Sequence, residues 1–135
     1  FYITTSGAVN VRKSGDYIAK SIRMAGGEYV SFDETGEENA LSTMTIQMES
    51  FYDGARNADV LIYNSTVDGE LSTIDELLAK SPLLADFKAV QTGNVWCISK
   101  DFYQLSLALG DMILDVHAIL NDPDAANLRF LQKLS

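Results

Sequence analysis

The sequence has few of the residues around which reactive or metal-binding sites are built. Among its 135 residues there are one cysteine, Cys97, one histidine, His117, and one tryptophan, Trp96. A single cysteine excludes an internal disulfide. One histidine, with no second histidine or cysteine near it in sequence, does not form a zinc-binding pattern. We therefore expect no enzyme activity, no cofactor and no bond between this chain and a metal ion.

Positive charge and long apolar runs are also scarce. Ten lysines and arginines stand against nineteen aspartates and glutamates, which gives a net charge of −9. Such a surface repels phosphate backbones, so the composition argues against nucleic-acid binding. No run of 18 or more apolar residues is present, and no membrane-spanning helix is predicted. The 47% of apolar residues is enough for a buried core, and the length predicts a single domain, residues 1–135.

Sequence motifs for nucleotide binding and nucleophilic catalysis are missing. No G-x-G-x-x-G follows the first strand-like run, and neither a P-loop nor a G-x-S-x-G elbow occurs. A phosphoacceptor domain would end its central strand on an aspartate, and here that position holds Asn64. The chain starts at Phe1 inside a strand-like run, without a methionine or a signal-peptide pattern. We expect it to be a piece of a longer polypeptide.

Apolar runs and helix-like periods alternate along the chain. Strands are predicted near residues 1–5, 29–32, 60–63 and 95–98, and a loop at 6–14. Helices are predicted near 16–25, 48–56, 72–80 and 104–120, with a short one from Ser81 and a last one ending at Leu134. "VLIY" and "VWCI" are continuous apolar runs, which suit strands that are covered on both faces. The pattern predicts an α/β domain with helices on both faces of a mostly parallel sheet.

Three segments, in this order, resemble one known family. "SGDYIAKSIRMAGGEYV" (14–30), "TIQMESFYDGARNADVLIYN" (45–64) and "ELLAKSPLLADFKAVQTGNVWCIS" (76–99) are similar to units of the C-terminal lobe of class III substrate-binding proteins of ABC importers. These proteins bind ferric siderophores, haem and cobalamin. The resemblance covers roughly residues 1–120. It implies a three-layer α/β/α lobe with a mostly parallel, Rossmann-like sheet, in which Trp96 and Cys97 fill opposite faces.

The resemblance also implies a partner, a location and a missing half. Family members have two lobes joined by a long helix, with the ligand in the cleft between them. The expected partners are a small-molecule metal chelate and an ABC permease. The expected location is extracytoplasmic, periplasmic or at the cell surface, with a lipid anchor on the missing N-terminal part as the only attachment to a membrane.

Ligand contacts are expected in the loops that follow the strands at the cleft. The candidate residues are Thr5, Arg12, Asn64, Ser65, Lys100, Asp101, Phe102 and Tyr103. Tyr103 would stack on the ligand or donate a hydrogen bond from its hydroxyl. The alternative for Phe102 and Tyr103 is that both pack the long helix onto the sheet. Arg12 either meets an anionic ligand or belongs to a solvated loop.

Asp16 is the candidate for docking on the permease. Family members present an acidic residue to permease arginines near the start of the first helix of this lobe. An acidic residue in a first turn is also favoured by the helix dipole alone. Two other readings of the whole chain stay open: a flavodoxin-like binding or signalling module, and an enzyme fragment whose catalytic residues lie on the missing part.

Overall fold

The strands form two three-stranded sheets in the computed structural model, which describes residues 1–13, 16–32, 43–65, 69–99, 109–122 and 124–135. The strands are β1 (Tyr2–Ile3), β2 (Val9–Arg12), β3 (Thr43–Ile46), β4 (Leu61–Asn64), β5 (Val95–Ile98) and β6 (Leu131–Lys133). The first sheet has the order β1-β2-β3 and is antiparallel. In the second, of order β4-β5-β6, β5 is parallel to β4 and antiparallel to β6.

Phe1 connects the two sheets. Its nitrogen donates to the Ile62 carbonyl oxygen at 3.0 Å, and its own carbonyl oxygen accepts from the Asn64 N–H at 2.7 Å. This pair of bonds is the pattern of a parallel ladder, with Phe1 beside Tyr63. Consequently β1, β4 and β5 run in the same direction, and their carboxyl ends lie at the same edge.

Two of the described helices begin after a residue whose side chain accepts a hydrogen bond from the first turn. Asp16 accepts a hydrogen bond from the Ile18 N–H, and Thr73 accepts one from the Glu76 N–H. Pro82 begins a 3₁₀ turn, Pro82–Asp86, where its missing N–H costs nothing. The helices are α1 (Tyr17–Met24), α2 (Met48–Ala55), α3 (Ile74–Lys80), α4 (Lys88–Gln91) and α5 (Leu109–Asn121).

Two hydrophobic clusters lie on opposite faces of the strands. On β5, Cys97 belongs to a cluster with α2, α3 and α4, whereas Trp96 belongs to one with α1 and α5. The same alternation holds in β4, where Tyr63 joins the first cluster and Ile62 the second. All four residues of β5 are buried, so the prediction that Trp96 and Cys97 fill opposite covered faces is confirmed.

Four predictions about secondary structure are wrong for the described residues. Residues 29–32 do not form a strand in the described part of the chain. The predicted loop 6–14 contains strand β2, and the predicted last helix is replaced at its end by strand β6. Within the two sheets, three of the four strand pairings are antiparallel and that of β4 with β5 is parallel, so even with the parallel contact of Phe1 to β4 the described pairings are not mostly parallel. The mixed α/β class itself is confirmed.

Asp115 explains why the chain after α5 turns into a strand. Its buried carboxylate accepts hydrogen bonds from the backbone N–H groups of Arg129, Phe130 and Leu131, at 3.2, 2.6 and 3.2 Å. Together these bonds fix the start of β6 against α5. Beyond β6, the Ser135 N–H donates to the Ser72 carbonyl oxygen and closes the chain onto the start of α3.

Candidate functional site

The candidate site is the edge where β1, β4 and β5 end. Because Asn64 pairs with Ile98 in the parallel ladder, the next residues, Ser65 and Ser99, follow the two strands at equivalent positions. Thr4 and Thr5 follow β1 at the same edge. The strand directions thus bring Thr5, Asn64 and Ser65 to one edge, as predicted from the sequence.

A tight loop displays the hydroxyl groups that follow β1. The Thr4 N–H donates to the Ala8 carbonyl oxygen at 2.8 Å, and the Gly7 N–H donates to the Thr4 carbonyl oxygen at 3.0 Å. Gly7 has a φ of 87°, which suits glycine. The Thr4 and Ser6 hydroxyl oxygens lie 3.0 Å apart, and the side chains of Thr5 and Ser6 are exposed. The loop therefore presents neutral hydrogen-bonding groups to solvent.

Asn64 and Ser65 lie deeper at the same edge. Their exposed fractions are 8% and 2%. Among the described residues, the Ser65 hydroxyl has no hydrogen-bond partner, although buried polar groups in folded proteins are nearly always paired. The Ser65 carbonyl oxygen accepts a hydrogen bond from the Gly69 N–H at 3.1 Å. Ser65 is thus held in place by its backbone while its side chain keeps an unused donor.

The residues expected to dominate ligand contact lie outside the described residues. Lys100, Asp101, Phe102 and Tyr103 directly follow Ser99, at the carboxyl end of β5. Their roles stay predictions. The described part of the edge contributes Thr5, Asn64 and Ser65.

Arg12 does not lie in a loop at this edge. It ends β2, which is antiparallel to β1, so it lies at the end of the strands away from Thr5. Its guanidinium is 3.3 Å from the Asp16 carboxylate and 5.8 Å from the centre of the Tyr17 ring. The Tyr29 hydroxyl donates to its carbonyl oxygen at 2.5 Å. The structure therefore separates Arg12 from the candidate ligand-binding residues Thr5, Asn64 and Ser65.

Asp16 has a local structural role. Only 4% of the residue is exposed, and its carboxylate accepts from the Ile18 N–H at 2.9 Å as well as from Arg12. A carboxylate that docks on a permease arginine must be reachable from the surface, and this one is buried under its own helix cap. Docking through Asp16 stays a prediction, and the observed burial argues against it.

The described part of the chain has no cluster of metal-binding side chains, and its histidine and cysteine have local structural contacts. No three His, Cys, Asp or Glu side chains there could hold a metal ion together. His117 joins two helices, with its Nδ1 3.0 Å from the Ala25 carbonyl oxygen at the end of α1. Burial raises the pKa of the Cys97 thiol, which keeps it protonated and unreactive. None of the described helices is long and apolar enough to cross a membrane.

Sequence reasoning pointed to Ser6 together with Thr5 but missed two other hydroxyl-bearing residues of this edge, Thr4 and Ser99. A signal for them was available, because small polar residues directly follow each of the apolar runs at 1–3, 60–63 and 95–98. In a sheet whose strands run in one direction, such residues meet at one edge.

Two curated proteins of Methanocaldococcus jannaschii are similar to this chain. The "Uncharacterized lipoprotein MJ0878" is 36% identical over 117 residues, which cover 85% of this chain and 26% of that protein. The "Uncharacterized lipoprotein MJ0872" is 38% identical over 58 residues, which cover 43% of this chain and 15% of that protein. The chain thus spans about a quarter or less of the length of these relatives. No family model and no solved structure matches it.

Proposed function

We propose that this chain is the C-terminal lobe of the substrate-binding component of an ABC importer, of the class III type. Its ligand would be a small-molecule metal chelate: a ferric siderophore, haem or a corrinoid. The proposal starts from the resemblance of three successive segments to that family. The observation that carries it is the shared edge at the ends of β1, β4 and β5, where Thr5, Asn64 and Ser65 lie together.

The distribution of the core supports the three-layer architecture that this function requires. Alternate residues of β4 and β5 contact α2, α3 and α4 on one face, and α1 and α5 on the other. The two bonds of Phe1 to β4 join both sheets into one surface. We propose that these elements form a three-layer α/β/α lobe, in which a parallel centre of β1, β4 and β5 is flanked by antiparallel strands.

The chemistry of the edge supports a ligand whose metal is already chelated. The described residues that directly follow the strands are neutral, whereas Glu70, Arg129 and Lys133 line a pocket beside Ser99. The neutral residues are Thr4, Thr5, Ser6, Asn64, Ser65 and Ser99. Hydroxyl and amide groups recognise the oxygen and nitrogen atoms on the outside of a chelate without displacing its donors. An unused hydroxyl on Ser65 is suited to such a contact, because a buried donor gains most when a ligand satisfies it.

The names of the two relatives support an extracytoplasmic location. Both are described as lipoproteins, and a lipid-anchored substrate-binding protein works on the outer side of the membrane. We propose the same location for the protein that contains this chain, with the anchor on a part outside these residues and an ABC permease as its partner.

The flavodoxin-like alternative lacks the feature that it needs. A flavin phosphate would bind where β1 leads into a helix. Here β1 leads into the Thr4–Ala8 loop and then into β2, which pairs back onto it. The first helix, α1, begins only after β2.

Titration of the full-length protein with four defined ligands tests the proposal. The ligands are a ferric catecholate, a ferric hydroxamate, haem and cyanocobalamin, and binding is measured by calorimetry. Tight binding of one of them, weakened by roughly 1–3 kcal/mol in Tyr103→Ala, is expected. Gln91→Ala is the control, since Gln91 is exposed at the end of α4, near the amino end of β5. Failure of all four ligands to bind, with the protein folded, contradicts the proposal.

A further inference from the structure

Positive charge is concentrated at and just before α1. Residues 11–27 contain four of the ten basic residues of the chain but one of its nineteen acidic residues, Asp16. The four are Arg12, Lys13, Lys20 and Arg23. The Asp16 carboxylate is buried and accepts a hydrogen bond from the Ile18 N–H. This segment is therefore positively charged in a chain whose net charge is −9.

The exposed side of α1 combines this charge with large apolar side chains. Tyr17, Lys20 and Met24 follow at intervals of three and four residues, which places them on one face of the helix. Lys20 is exposed, Tyr17 is 45% exposed, and Met24, at 72%, is the most exposed large apolar residue in the described part of the chain. Lys13 lies one turn before the helix, because its carbonyl oxygen accepts from the Asp16 N–H at 3.0 Å. We refer to Lys13, Tyr17, Lys20 and Met24 together as the α1 surface.

The α1 surface consists of other residues than the candidate ligand-binding edge and begins at the other end of the strands. Arg12 ends β2 away from Thr5, and its guanidinium lies 3.3 Å from the Asp16 carboxylate at the start of α1. The inner side of the helix, with Ile18, belongs to the hydrophobic cluster of α5 and β5. The core therefore does not use the outer side of α1.

We propose that the α1 surface contacts a membrane surface with anionic lipid headgroups, in addition to the lipid anchor. Lysine ammonium groups attract the headgroup phosphates, while tyrosine and methionine bury apolar atoms at the boundary of headgroups and acyl chains. At about 0.1 M salt, charges act over about 10 Å, so the sign of the touching surface decides and not the net charge. The inference rests on the proposed lipid-anchored location, because an anchor holds the protein at the membrane and makes a weak contact sufficient.

Vesicle binding by the full-length protein, produced without lipid, tests the contact. Vesicles of phosphatidylglycerol and phosphatidylcholine in equal parts are compared with phosphatidylcholine vesicles by cosedimentation at low ionic strength. We expect Lys13→Glu/Lys20→Glu to weaken binding to the anionic vesicles at least about fivefold. The matched control, Arg56→Glu/Lys88→Glu, changes the net charge equally at exposed positions at the end of α2 and the start of α4. It should weaken binding less than about twofold.

A fluorescent side chain locates the contact. Met24→Trp should add an emission that shifts to the blue on anionic vesicles, whereas Leu83→Trp, on the 3₁₀ turn Pro82–Asp86, should add one that does not shift. No preference for anionic over neutral vesicles overturns the proposal, and so does equal weakening in the two double variants. A blue shift in Leu83→Trp with none in Met24→Trp also overturns it.

Uptake by cells distinguishes a protein partner from the membrane. Lost ligand uptake in Lys13→Glu/Lys20→Glu, with vesicle binding unchanged, overturns the proposal and assigns the α1 surface to an acidic surface of another protein. The vesicles contain no chelate, so their binding succeeds or fails independently of the ligand titration that tests the proposed function.

Discussion

Replacing Ser65 with alanine should affect stability and ligand binding in opposite directions. The Ser65 hydroxyl is buried, with 2% of the residue exposed, and has no hydrogen-bond partner among the described residues. A buried hydroxyl in this state costs about 1–3 kcal/mol, because it has lost its water without gaining a partner. Alanine removes that cost and leaves almost the same volume, so we expect Ser65→Ala to raise the free energy of unfolding by up to about 1 kcal/mol.

The same variant should bind ligand less well. If the hydroxyl donates to the chelate, its loss removes one hydrogen bond, about 1 kcal/mol, or roughly fivefold in Kd. Urea denaturation measures stability, and calorimetry on the full-length protein measures binding. Thr73→Ala is the comparison variant, since the Thr73 hydroxyl accepts from the Glu76 N–H at 3.1 Å and its removal should lower stability by about 1 kcal/mol. A loss of stability in Ser65→Ala similar to that in Thr73→Ala would refute the reasoning, because it would mean that the hydroxyl is already bonded.

Three further predictions follow from other buried groups. Asp115→Ala should lower the free energy of unfolding in urea by about 3–5 kcal/mol, because three backbone N–H groups lose their charged acceptor; a change below about 1 kcal/mol would contradict this. In a polypeptide that begins at Phe1, burial lowers the pKa of the amino group from 8.0 to about 5 in the folded state. Only the unfolded state takes up a proton between these values, so the free energy of unfolding should fall by up to about 4 kcal/mol from pH 8 to pH 5. N-acetylation should abolish this pH dependence, and a pH dependence that persists would assign it to other groups. Asp16→Asn keeps an acceptor for the Ile18 N–H but removes the charge. Unchanged ligand uptake by cells that express the full-length variant would show that Asp16 only caps α1. Lost uptake with intact ligand binding would show that Asp16 docks on the permease.

The strands β4 and β5 could be predicted from the sequence because their signal is local. Residues 60–63 and 95–98 are continuous apolar runs, and burial on both faces requires such runs. The positions of Thr5, Asn64 and Ser65 at one edge followed from the same reasoning. That step needed only the parallel direction of the strands, which their connection through helices supplies.

The strands β2 and β6 could not be predicted in the same way because each depends on contacts far along the chain. β2 is four residues long, and its Val9 and Val11 read as part of a glycine-containing loop until their pairing with β1 and β3 is known. Leu131, in β6, and Leu134, directly after it, have a spacing that also fits a helix. Its strand form is fixed by pairing with β5 and by the Asp115 carboxylate on α5. Neither cause is visible in a short window of sequence.

Residues 29–32 illustrate the opposite error. The segment Tyr29–Phe32 is apolar enough to predict a strand, but its side chains are used elsewhere. The Tyr29 hydroxyl donates a hydrogen bond to the Arg12 carbonyl oxygen, and the Phe32 ring packs on Phe51 with the ring centres 5.7 Å apart. A short apolar segment can thus cover a core with its side chains without joining a sheet.

Amide hydrogen exchange of the full-length protein, with and without the ligand that it binds most tightly, tests the central claim most directly. The account predicts that the ligand slows exchange at the ends of β1, β4 and β5, in the Thr4–Ala8 loop, around Ser65 and Gly69, and in the residues after Ser99. The amino ends of β4 and β5, near Asp59 and Asn94, should be unaffected. Slowed exchange near Asp59 and Asn94, with none at the three carboxyl ends, would contradict the account.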